Sequence, residues 1–181
     1  MSHLHLPSAI QQARAADRFY GFFLLLLAVA SAAAPMFVEA TLAWTLFLAG
    51  LAGLSWLALD RSPRGFLAAA GWALVALAMG LHLVFHAFLG VISLSLVLGL
   101  GFVLLGAAEI AFGVERYRPG GARWSLVAGG VIAVGFGLSI PLIWPALPNW
   151  AGGVAMAVMF AGFGAALLIG VARGKAETAS D

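Results

Sequence analysis

Between Phe19 and Ala172, charged side chains interrupt the chain at only a few places, and the stretches between them are long and apolar. Six such stretches run from about Phe19 to Ala34, Phe37 to Leu59, Gly65 to Phe85, Phe88 to Val114, Arg123 to Trp144 and Trp150 to Ala172. Each is close to the ~20 residues a helix needs to cross the hydrocarbon of a bilayer. No water reaches that hydrocarbon, so backbone N–H and C=O groups must be satisfied by protein, which leaves helices or a closed barrel. The runs are continuous rather than alternating, so helices follow. Composition agrees: 64% of the 181 residues are hydrophobic and 9% are charged, whereas an ordinary soluble domain is about a quarter charged. The predicted fold class is all-α, a polytopic membrane protein with six transmembrane helices.

The placement of the cations supplies the topology. All nine basic residues fall before span one (Arg14, Arg18), between spans two and three (Arg61, Arg64), between four and five (Arg116, Arg118, Arg123) or after six (Arg173, Lys175). The alternate connections, around Pro35 to Val38, His86 to Phe88 and Pro145 to Asn149, hold no Lys or Arg. The positive-inside bias therefore puts both termini in the cytoplasm. Tyr20, Trp56, Tyr117 and Trp124 then fall at cytoplasmic helix ends and Trp144 and Trp150 at outer ends, where amphipathic rings are expected to anchor at the interface. Arg14 and Arg18 ahead of GFFLLLLAVA and Ala30-Ser31-Ala32 imitate a cleavable signal peptide. Because the first span completes a repeat, retention is the expectation. The sequence pI near 9.7 invites a nucleic-acid reading, but the net charge is only +2 and its carriers sit at span ends. The partner expected is the lipid bilayer, with membrane-protein partners or a homo-oligomer as candidates and no nucleic acid.

A pattern of basic residue, apolar span, short uncharged turn and second apolar span occurs three times, opening at Arg18 (RFYGFFLLLLAVA), Arg64 (RGFLAAAGWALVA) and Arg123 (RWSLVAGGVIAVG). This divides the chain into an N-terminal cytoplasmic arm (1–17), a membrane domain (18–172, repeats at about 18–60, 64–116 and 123–172) and a cytoplasmic tail (173–181). Two spans per unit give the hairpins one orientation, unlike the inverted repeats of many transporters. Short turns make the helices of each hairpin antiparallel neighbours. Small residues four apart, Gly129, Ala133 and Gly137 in span five and Gly153, Ala157, Ala161 and Ala165 in span six, are expected to line seams where backbones approach closely.

Three tandem hairpins with Arg-Gly or Arg-aromatic openings, Pro35 at the first outer turn and GLGFVLLGAAEI in the fourth helix resemble the HdeD acid-resistance membrane protein family over about residues 18–172. The chain departs from that pattern at His86-Ala-Phe in the second outer turn and at Pro141, Pro145 and Pro148 in the third. The resemblance implies a bacterial inner-membrane protein of acid and general stress tolerance, and it implies no reaction.

Few residues could carry chemistry. His82 and His86, four apart, share a helical face at the outer end of span three. Imidazoles there could gain charge as the outside acidifies, with Glu39 at the start of span two as a partner if the helices are adjacent. The alternative is that both imidazoles sit at the headgroup boundary, satisfied by water and lipid. Two histidines and a carboxylate do not complete a tetrahedral site, so no metal and no cofactor are expected; His3 and His5 in the arm are weaker candidates still. Glu109 is the one carboxylate well inside a span, and an intramembrane acid is a functional candidate by default. It could handle a proton, snorkel to the interface, or pair with Arg18, Arg64 or Arg123. The chain has no Cys, no paired carboxylates and no phosphate-cradling loop, so a non-enzyme is expected. The functional expectation is a stress-tolerance protein that stabilises the membrane or its complexes. An accessory subunit of a larger assembly, or a small transporter or channel, are the alternatives.

Overall fold

The computed structural model of the chain describes residues 9–33, 38–59, 64–89, 94–143, 146 and 150–179, without the side chains at 9, 10, 38, 39, 86–89, 94 and 174–179. Six helices follow in order: α1 (Ala9–Ala33), α2 (Val38–Leu59), α3 (Phe66–Leu89), α4 (Leu94–Arg116), α5 (Gly121–Ile143) and α6 (Ala151–Ala179). Each contains a segment long and apolar enough to cross a membrane. The fold is all-helical, as expected.

The ends of the helices differ from the sequence reading in instructive ways. α1 starts at Ala9, within the expected arm, because the segment that leads into the span is rich in Ala, Gln and Arg, all good helix formers. α3 continues to Leu89 and α4 begins only at Leu94, so His86 lies in a helix and not in a turn. No Gly or Pro stands between Gly80 and Gly90 to stop α3. Pro141, expected in the third outer turn, lies inside α5. Lacking an N–H, it leaves the carbonyl of Gly137 without its helical donor. That carbonyl faces α4, 3.1 Å from where a Cβ on Gly99 would stand. Pro is tolerated in a spanning helix where neighbouring helices, side chains or local adjustments re-satisfy the freed group.

Each helix touches the next, and α6 closes on α1, so the six form a ring. The expected hairpin partners are neighbours, but the most extensive packing runs between hairpins, at α4/α5, α2/α3 and α1/α6. Glycine accounts for this. A Cβ on Gly130 would stand 2.5 Å from the Gly106 carbonyl, one on Gly50 2.7 Å from the Ala73 carbonyl, and one on Gly164 2.7 Å from the Gly21 carbonyl. Lipid tails are as apolar as Leu, so close packing supplies the attraction that water would supply elsewhere. Of the stripes read from the sequence, Gly129, Ala133 and Gly137 are buried. Gly153 backs onto the Ser31 carbonyl of α1 at 2.6 Å from its Cβ position, whereas Ala157, Ala161 and Ala165 are only half-buried.

Aromatic rings fill the interior. Tyr20 stacks on Trp56 at 5.3 Å and meets Phe163 edge-on, Phe112 stacks on Phe163 at 5.1 Å, and Trp72 tilts against Phe163 at 5.0 Å. These residues come from α1, α2, α3, α4 and α6. Tyr20 and Trp56 are therefore core residues, 2% and 4% exposed, and not interface anchors. The Tyr20 hydroxyl donates to the Ala49 carbonyl at 3.3 Å, so its polar end is satisfied by protein rather than by headgroups. Trp124 and Trp150 are exposed, in keeping with anchoring, and Trp144 lies outside the described residues.

Contacts also collect the basic residues at one end of the bundle. Arg116 at the end of α4 reaches Asp17 of α1, Gly65 ahead of α3 abuts Phe112, Gly113 abuts Leu126 near the start of α5, and Arg173 of α6 lies over Gly120.

Candidate functional site

Glu109 stands on α4 seven residues before Arg116, on the order of 10 Å from that helix end at 1.5 Å per residue. Its side chain is 0% exposed. Two other helices enclose the carboxyl, and both do so with glycine. On α5, a Cβ at Gly129 would stand 2.7 Å from Glu109 Oε1; on α6, a Cβ at Gly162 would stand 3.3 Å from the same oxygen. Only the absence of both side chains leaves room for a carboxyl here. The Ser125 hydroxyl, one turn before Gly129, donates to the Gly162 carbonyl at 2.9 Å. That bond straps α5 to α6 beside the acid.

Neither oxygen of Glu109 has a hydrogen-bond partner among the described residues. The expected alternatives of snorkelling and of pairing with Arg18, Arg64 or Arg123 thus do not describe this side chain, which is fully buried and meets no cation among the described residues. Buried polar groups are hydrogen-bonded in the great majority of cases, so an acid with neither oxygen satisfied calls for explanation.

A second acid shows the opposite arrangement. Asp17 Oδ1 accepts the Trp56 indole N–H at 2.8 Å, and Oδ2 meets Arg116 at 3.5 Å. The Arg116 guanidinium lies 5.5 Å from the ring centroids of both Trp56 and Phe112, a distance at which a cation is attracted to the ring face. α1, α2 and α4 are joined at this point, and nothing in the sequence pairs residues so far apart.

The histidine candidates lie elsewhere. α2 and α3 are antiparallel neighbours, Gly50 backing onto Ala73 and Gly80 onto Phe47, so the start of α2, which carries Glu39, and the end of α3, which carries His86, share one end of the bundle. His82 is half-buried on α3. The side chains of Glu39 and His86 lie outside the described residues. By the α3/α4 register, in which Gly65 meets Phe112 and Gly101 meets Met79, His82 is displaced from Glu109 along the bundle by roughly 18 Å. The two candidate sites are separate.

Sequence reading identified Glu109 and placed Gly129 in a seam, but missed Gly162 and Ser125. Their signal is weak: one glycine among many in α6 and one serine in α5. No protein-family model matches the chain, and neither the curated proteins nor the solved structures contain a match to it.

Proposed function

We propose that this chain is a non-catalytic inner-membrane protein of acid and general stress tolerance that stabilises the membrane or complexes within it, with both termini in the cytoplasm. The observation that carries this reading is the filled interior. Tyr20, Trp56, Trp72, Phe112 and Phe163, contributed by five of the six helices, touch one another across the ring. A bundle packed with rings on its axis is suited to bearing load rather than to passing a solute. The resemblance of the three hairpins to the HdeD family supports the stress role, and the gathering of basic residues at one end supports the orientation. Survival of a deletion strain after acid and heat challenge tests it: reduced survival restored by the wild-type gene is expected, and unchanged survival would remove the stress role.

The accessory-subunit reading has one observation of its own. Gly71 of α3 and Gly135 of α5 have no described atom within 4 Å of their Cβ positions, leaving notches that a helix of another protein could fill. Co-purification at fixed stoichiometry in mild detergent is the outcome expected of an accessory subunit.

A further inference from the structure

We propose that the junction of α4, α5 and α6 is a proton-binding site in which the Glu109 carboxyl is the acceptor, and that the bound proton holds α6 against the α4/α5 pair. The proposal is independent of the stress reading, since it concerns what occupies the site and not what the protein is for.

The notch left by the missing side chain of Gly162 is bordered by the Ser125 carbonyl at 3.0 Å, Glu109 Oε1 at 3.3 Å and the Gly129 Cα at 3.5 Å, all measured from the Cβ position. Three helices thus meet on one carboxyl with no side chain between them. The neutral acid can lie there without a counter-charge. The anion is different. It would need water or a cation, since an isolated carboxylate in an apolar interior is heavily penalised, and admitting either means parting α5 from α6. A Leu or Met would pack a purely structural seam without this liability. Gly129 and Gly162 instead make room for an acid, and Ser125 holds the walls together around it.

The titratable groups on the surrounding helices stand apart. On α4 itself, Glu115 and Arg116 lie more than a turn farther toward the basic end. α5 carries only Arg123, near its start, and α6 carries none between Ala151 and Ala172, with Arg173 beyond. α3, on the other flank of α4, has His82 and His86 toward its far end, and α1 has Arg14, Asp17, Arg18 and Tyr20 at the basic end. None of those whose side chains are described is bonded to Glu109.

The test uses the full chain in nanodiscs and a hydrophobic carbodiimide, dicyclohexylcarbodiimide. The carboxyl oxygen adds to the carbodiimide carbon while the acid proton passes to nitrogen, and acyl migration to nitrogen fixes the adduct. The whole reagent is retained and nothing leaves. Mass spectrometry should find one adduct, on Glu109, with labelling that falls at least several-fold as pH is raised; Glu109→Gln should lose it. The thermal midpoint of the wild-type protein should drop with rising pH relative to that of Glu109→Gln. Labelling of Glu109 that is absent or independent of pH would overturn the proposal, and this measurement needs no variant to fold. Protection by Na⁺ at fixed pH and matched ionic strength would also overturn it, by assigning the site to a metal cation. Acid survival of the deletion strain is a separate readout, so failure of one proposal leaves the other standing.

Discussion

Asp17 and Glu109 are both acids withdrawn from solvent, and they are treated in opposite ways. Asp17, its side chain 15% exposed, has an indole N–H on one oxygen and a guanidinium on the other. Glu109, fully buried, has Gly129 and Gly162 against one oxygen and no hydrogen-bond partner on either among the described residues. The first acid can stay ionised because donors replace the water it lost, and its effect is to tie three helices together. The second has no such replacement, so its presence in an apolar seam is not accounted for by packing. Partners, more than depth, separate a structural carboxyl from a candidate functional one.

The contrast can be broken most severely at the glycines. Gly129→Val would drive a branched side chain into the Glu109 carboxyl, 2.7 Å from the Cβ position, and is expected to cost about 3 kcal/mol or more. Loss of the monodisperse peak in size-exclusion chromatography would report it. Next comes Asp17→Ala, which leaves the Trp56 N–H and Arg116 without their acceptor and is expected to cost about 2 kcal/mol. Thermal unfolding in detergent would measure this, and an unchanged midpoint would mean that the Asp17 cluster ties nothing. Trp56→Phe keeps most of the ring packing but removes the donor, and should cost about 1 kcal/mol. The smallest effect is expected at Gly135→Ala, where no described neighbour meets the new methyl; helix propensity predicts a midpoint unchanged or slightly raised, by at most about 1 kcal/mol.

Much of the fold was legible because the bilayer demands so much of a sequence. Long uncharged runs can only be helices there, and four of the six expected starts or ends at the basic side fall within about two residues of the observed ones. The exceptions, α1 and α6, extend into polar segments that no membrane constrains. What the sequence hid was direction around each helix. With nearly every face apolar, Tyr20 and Trp56 looked like interface anchors by position along the helix, yet they face inward and stack on each other. Glu109 could be found by its charge alone. Gly162 and Ser125 could not, since their role depends on which side of α5 and α6 meets α4, and glycine and serine are common enough to carry no mark of it.

The glycine contact opposite Pro141 bears on how α4 and α5 move relative to each other. Gly99 of α4 and Gly137 of α5 stand against each other, the Cβ position of the first 3.1 Å from the carbonyl of the second and that of the second 2.6 Å from the carbonyl of the first. Sliding α4 by a single residue would bring a flanking side chain, Leu98 or Leu100, to a place with room only for glycine. The two helices are therefore indexed to each other like teeth on a rack, and any rearrangement of the bundle should carry them as one piece.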